Sequence, residues 1–326
     1  MNARVRYSQI SPEIIRNEII KRYYFNNTVS CIFYRMGMND IYLINNDNKK
    51  YYLRVSLANV YKYTDYKEEA FIVDSLYKNN INVAYPIECK DGNFVWTIDA
   101  PEGERYAILF SEAKNKPSQD IQKGIYNLGT MIAKIHSVAD DKSYVISRPS
   151  IDLIQLVDEP ISLIKKHFVN RMDDFEYLKN STKKLGEFIN DTLPTKKPYY
   201  GFCHGDIHLM NVNFDDEKPT IYDFDCMGNG WRSHDIAVFL FNHSLGNENY
   251  KESSEWKLFL NGYNSIRMLE ENEVKALSAF CALRNTWVMG VHTKLSDKNM
   301  GCQMFNDNYF NFFINNFKMW FNRTFE

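Results

Sequence analysis

The 326 residues are 44% hydrophobic and 25% charged, the balance of an ordinary folded protein, and the length points to two lobes or domains around more than one core. With 39 basic against 41 acidic side chains the formal net charge is −2, which excludes the electrostatic footprint of a nucleic-acid or anionic-membrane binder and favours a small molecule as partner. No apolar run approaches the roughly 18 residues of a membrane span, and the first residues lack a signal-peptide core. The expected location is therefore the cytoplasm, with the scattered cysteines Cys31, Cys89, Cys203, Cys226, Cys281 and Cys302 reduced.

Ser11-Pro12-Glu13 combines an N-cap, a proline at the first helical position and an acid in the first turn, and so predicts a helix carrying Ile14, Ile15, Ile19 and Tyr23. Between Thr28 and Ser56 the β-rich runs T-V-S-C-I-F-Y-R, D-I-Y-L-I and K-Y-Y-L-R-V, separated by M-G-M-N and N-N-D-N, predict an antiparallel meander. Ala70, Ile72, Val73, Leu76 and Tyr77 then recur at helical spacing, followed by two strand-like runs, F-V-W-T-I and Y-A-I-L-F. Beyond Phe110 the pattern turns helical. Ile125, Leu128, Ile132 and Ile135 mark a helix expected to end near His136, itself a packed or capping residue, and the region 150 to 192 also reads as helical.

From Tyr199 to Asp225 short strands return, Y-Y-G-F-C, N-V-N-F and T-I-Y-D-F, around the polar loop H-G-D-I-H-L-M and the turn D-D-E-K-P. From Asp235 the chain reads as helices to the end, with the aromatic stretch Tyr309 to Phe321 as core.

The polar loop carries the chemistry. His204, Asp206 and Asn211 stand as H-x-D-x-x-x-x-N, and Asp223-Phe224-Asp225 follows after one hairpin. Phosphoryl transfer needs a carboxylate to orient the attacking hydroxyl, and an amide oxygen and carboxylates to hold the metal that neutralises the phosphates. Two other readings stay open. These residues suit turns and caps, and His204, Asp206 and His208 with Asp223 also match a metal-dependent hydrolase, although that leaves Asn211 without a role.

The segment H-G-D-I-H-L-M-N-V through I-Y-D-F-D-C-M-G-N-G-W-R-S-H-D-I-A-V-F-L resembles the aminoglycoside phosphotransferase family, which also takes in choline kinases. The resemblance implies a two-lobed, protein-kinase-like α+β fold: a small antiparallel β-sheet lobe with one helix over residues 1 to about 110, covering the nucleotide, and a larger, mainly helical lobe over 111–326. It implies Mg2+-dependent transfer of the γ-phosphoryl group of ATP or GTP to a hydroxyl of a small molecule. Asp206 becomes the base, Asn211, Asp223 and Asp225 the metal ligands, His204 a brace for the loop, and Arg232 with Asp235 a support that also caps the next helix. More weakly, the turn holding Gly37 and Asn39 covers the triphosphate, and Arg54 replaces the phosphate-pairing lysine with Glu69 as its partner. Phe110, Ser111, Glu112 and Ala113 form the adenine hinge. The arginine at 54 keeps open a catalytically weak, nucleotide-binding regulator.

The acceptor is expected against the helices after Asp235. From Leu240 to Glu326 nine Asp plus Glu face nine Lys plus Arg, without the acidic excess a polycationic aminoglycoside needs, and the aromatic residues there suit a neutral or partly apolar hydroxyl compound, which is the acceptor expected. Its identity and the oligomeric state are not legible.

Overall fold

The computed structural model describes residues 4–117, 120–245 and 253–326. Strand alternation builds the N-terminal lobe. β1 (Ser30–Arg35), β2 (Asn39–Asn46), β3 (Lys49–Ser56), β4 (Val95–Ala100) and β5 (Gly103–Ser111) form one antiparallel sheet in the order β1-β2-β3-β5-β4. Tyr42, Ile44, Leu53, Val55, Ala107 and Leu109 share a face and pack with Ile15 and Ile19 of α1 (Pro12–Arg22) and with Tyr23 just after it; α1 starts where the Ser11 hydroxyl accepts the Glu13 amide. The other face takes Tyr66 and Ala70 of α2 (Tyr63–Lys78) against Val95 and Ile108. Arg54 lies between Leu53 and Val55, so its side chain emerges on the α2 face, where it meets Glu69.

Helix α2 also joins the lobes. Its Ile72, Val73 and Leu76 leave the sheet for the C-terminal core, with Ile125, Leu128 and Ile132 of α3 (Ile121–Lys142). Contrary to expectation α3 continues past His136 to Lys142, where Ser143 in the left-handed region ends it and its amide donates to Ala139 O. The 150–192 region is helical in pieces: a π turn at Ile154–Asp158, α4 (Glu159–Ile164) and α5 (Met172–Thr192).

Two small ribbons follow, β6 (Tyr200–Cys203) with β9 (Gly228–Trp231) and β7 (Val212–Asp215) with β8 (Lys218–Ile221). Strand β9 escapes sequence reading because Gly228, Asn229 and Gly230 are poor strand formers and Trp231 alone is a good one. Its glycines serve close approach, since a Cβ on Gly230 would strike the Ile151 side chain.

Helices α6 (Arg232–Ser244), α7 (Ser254–Asn264), α8 (Glu271–Leu295) and α9 (Asp307–Phe325) complete the lobe. Phe313, Phe317 and Trp320 of α9 are core, as their spacing predicts. Helices α3 and α7 touch at Gly129 and Gly262, where a Cβ on either would collide with the backbone of the other helix. All six cysteines are unpaired, and among the described residues no helix is long and apolar enough to cross a membrane.

Candidate active site

Strand β6 delivers the chain to the polar loop, which turns at Gly205 with φ 83° and packs so closely that a Cβ there would strike the Cys226 carbonyl. Asp235, in the first turn of α6, holds the loop by accepting the amides of His204 (2.8 Å) and Gly205 (2.7 Å). His136 Nε2 donates to the same carboxylate at 3.1 Å, while its Nδ1 accepts from the Tyr263 hydroxyl at 2.9 Å, which makes His136 a packed brace. The expectation that Arg232 and Asp235 cap α6 is corrected. Trp231 stands at the cap position, Arg232 pairs with Asp140 of α3, and Asp235 serves the loop.

His204 braces the loop as expected, its Nε2 donating to Tyr222 O at 3.1 Å and its Nδ1 accepting the Asp206 amide at 3.2 Å. Both nitrogens are committed, so an H-x-D-x-H metal site loses its first ligand.

Asp206 Oδ2 accepts from Asn211 Nδ2 at 3.2 Å and lies 3.3 Å from His208 Nε2. Its Oδ1 pairs with Arg284 of α8, whose guanidinium sits 3.9 Å from the Trp287 ring centroid and also donates to Gly205 O at 3.3 Å. Burial opposes the Asp206 charge, but Arg284 and then His208 outweigh it and hold the carboxyl well below the usual carboxylate range. Sequence reasoning missed Arg284, which lies 78 residues from its partner with no motif around it.

Asp223 is not in a strand as expected. Strand β8 ends at Ile221, and Asp223 follows at φ 66°, a left-handed conformation that Asp tolerates better than most residues. Its Oδ1 is closed off from solvent, accepts no hydrogen bond, and lies 3.6 Å from Arg54 Nη1. Burial and then the Asp225 charge push its carboxyl up to about 8. Asp225 Oδ2 accepts from Asn39 Nδ2 at 2.6 Å.

Arg54 pairs with Glu69 at 2.6 Å, and Arg148 pairs with the same carboxylate at 2.6 Å while donating to Asp225 O at 2.7 Å. Arg148, like Arg284, carries no sequence signal. A cleft of about 400 Å³ is lined by Arg54, Phe110, Ser111, Glu112, Ala113 and Asp223, together with the unanticipated cations Arg35 and Lys50. Gly37 and Asn39 do not line it. Gly37 O accepts from Asn299 Nδ2 at 2.9 Å, and Asn39 faces a second cavity of about 420 Å³ that lies between residues 57–61 and α8 and opens on Gly205 and Asp225. Asp223 thus lines one cavity and Asp225 the other.

Residues 37–264 match the phosphotransferase enzyme family. The chain belongs to this family. It is 32% identical over 301 residues to an uncharacterized protein of Synechocystis sp., across 89% of this chain and 81% of that one. Its fold is similar to amicoumacin kinase hAmiN, solved with AMP-PNP, Ca2+ and Ami, with a TM-score of 0.74 at 17% identity over 97% of this chain and 94% of that one. It is also similar to the microcompartment-associated aminopropanol kinase, with a TM-score of 0.70 at 19% identity over 95% of each chain. These neighbours are small-molecule kinases of protein-kinase-like fold, and the two-lobed α+β architecture is theirs. At residue 54 an arginine stands where the resemblance implies a lysine, and its partner Glu69 is shared with a second arginine, Arg148.

Proposed function

We propose that this phosphotransferase moves the γ-phosphoryl group of ATP or GTP to a hydroxyl of a small molecule, with Asp206 as base and Asn211, Asp223 and Asp225 as the donor set for Mg2+. The observation that carries the reading is the Asp223 carboxylate, with one oxygen buried, without a hydrogen bond and no nearer than 3.6 Å to Arg54, on the wall of one cavity while Asp225 lines the other. A buried acceptor of this kind is costly unless a cation completes it. The residues fit a hard divalent ion, being oxygen donors throughout, and the ion would supply charge neutralisation for the phosphates.

The chain's own residues do the rest. Arg54, Arg35 and Lys50 offer positive charge to the phosphates along the cleft, and the hinge from Phe110 to Ala113 gives the base of the nucleotide a wall. Asp206 is held ionised and oriented by Arg284, Asn211 and His208. Such an acidic carboxylate is a weak base, so it orients the acceptor hydroxyl first. It takes the proton as the bond from the acceptor oxygen to the γ-phosphorus forms and the bond to the β,γ-bridging oxygen breaks.

The test is substrate-dependent release of ADP or GDP across a panel of hydroxyl-bearing metabolites and antibiotics, with and without magnesium. Asp206→Asn should lose about 10²–10⁴ in rate while still binding nucleotide. An Asp206→Asn variant as active as the parent, or turnover that depends on retained zinc, refutes the reading.

A further inference from the structure

The second cavity, between residues 57–61 and α8, has a charge pattern that selects among acceptors. Its acidic residues are Asp225, Glu159 and Asp297, and each is engaged. Asp225 accepts from Asn39, Glu159 pairs with Lys294 at 2.6 Å, and Asp297 pairs outward with Lys166 at 2.6 Å. Its basic residues are Lys294 and Lys298. Lys298 is half-buried, and among the described residues no carboxylate reaches it. Its Nζ donates to Ala58 O at 2.8 Å, which uses one of three N–H groups. Burial, then Lys294 and Arg105, lower the pKa of this ammonium, as expected for a cation that lacks a counter-charge. Trp287, Val291, Leu295 and Tyr61 give the same cavity an apolar wall.

We propose that this cavity takes a small hydroxyl compound bearing one carboxylate, which Lys298 binds through its two remaining N–H groups while Trp287 and Tyr61 hold the apolar body. This assignment rests on the kinase reading, because it makes the cavity the acceptor side. One ammonium with two free donors matches a monoanion. A dianionic phosphate would need further cations, and Lys294 is already spent on Glu159. An ammonium-bearing acceptor would be repelled by Lys298, which no carboxylate reaches among the described residues.

The test uses three probes of one shape, 4-(hydroxymethyl)benzoate, 4-(hydroxymethyl)benzamide and 4-(hydroxymethyl)benzylamine, titrated calorimetrically into the full chain with and without magnesium and AMP-PNP. The benzoate should bind roughly ten-fold more tightly than either partner, the scale of one charge-assisted hydrogen-bonded pair. Lys298→Gln, which keeps a donor for Ala58 O, should remove the preference, and Lys298→Glu should reverse it towards the amine. Equal binding of the three, tighter binding of the amine, no binding of any, or a preference that survives Lys298→Gln overturns the proposal. Magnesium-dependent AMP-PNP binding, measured in the same titrations, reports separately on the kinase reading. If AMP-PNP binds and the benzoate preference is absent, only the acceptor assignment falls. If the preference is present and nucleotide does not bind, the kinase reading falls.

Discussion

Glu69→Gln is the most demanding perturbation of the site. Glu69 is wholly buried, and its oxygens serve Arg54 and Arg148, whose side chains are 5% and 1% exposed. The amide keeps the volume but removes the carboxylate charge that two buried guanidinium groups share, and its NH2 end must point at one of them. Removing one partner of a buried pair costs about 3–5 kcal/mol. One carboxylate here serves two cations, but Arg148 keeps Asp225 O and Arg54 keeps Asp223, so the cost should fall near the top of that range and not double. Burial works against the Glu69 charge, yet the two arginines prevail and hold its carboxyl below the ordinary 4.5. With a depressed folded value, the stability it contributes is complete above the unfolded value and is lost only as pH falls through the folded one. The gap between parent and variant in urea unfolding, followed by tryptophan fluorescence, should therefore be complete at pH 6 and narrow as pH falls into the acid range. A gap at neutral pH under about 1 kcal/mol, the scale of a surface pair, refutes the argument. The charge-free triple variant Arg54→Met, Glu69→Leu, Arg148→Met should recover much of the stability and none of the nucleotide affinity.

Asp223 predicts the opposite pH slope. Its folded pKa of about 8 lies above the ordinary 3.8, so without metal its contribution is greatest below that ordinary value and declines as pH rises towards 8. Asp223→Asn should flatten the decline of the thermal midpoint over this window and bind magnesium nucleotide weakly. An unchanged slope and unchanged binding would make the residue purely structural. Arg54→Ala should raise the KM for nucleotide and Arg54→Lys restore it in part, because an ammonium supplies the charge without the fork that reaches Glu69 and faces Asp223 together; an unaltered KM in Arg54→Ala would remove this residue from the phosphate site. Gly129→Ala should lower the thermal midpoint and leave the KM for nucleotide unchanged, since its Cβ meets the backbone of α7 away from the cleft. A stable Gly129→Ala would show that α3 and α7 separate without cost.

Much of this protein is legible in local pattern. Alternation between Tyr42 and Ile44 or Leu53 and Val55 specifies the sheet face that α1 covers, Ser11 and Pro12 start α1, and the spacing from His204 to Asn211 with Asp223 one hairpin later puts the polar loop and its partner carboxylate together. Such features lie within a few residues of one another, where backbone geometry alone decides which side chains meet. Local pattern fails at β9, where glycines needed against Ile151 erase the strand signature, and at Asp223, where a left-handed turn beyond β8 replaces the expected strand.

The charge balance of the site was decided only by the tertiary structure. Arg148 reaches Glu69 across 79 residues, Arg284 reaches Asp206 across 78, and Asn39 reaches Asp225 across 186. In the sequence Arg148 and Arg284 are polar residues without a motif, and Asn39 stands in a turn that gives no sign of Asp225 as its partner. Packing places each opposite a buried carboxylate, and in the low-dielectric interior the group that lies opposite determines whether a charge is held, shifted or left in need of a ligand.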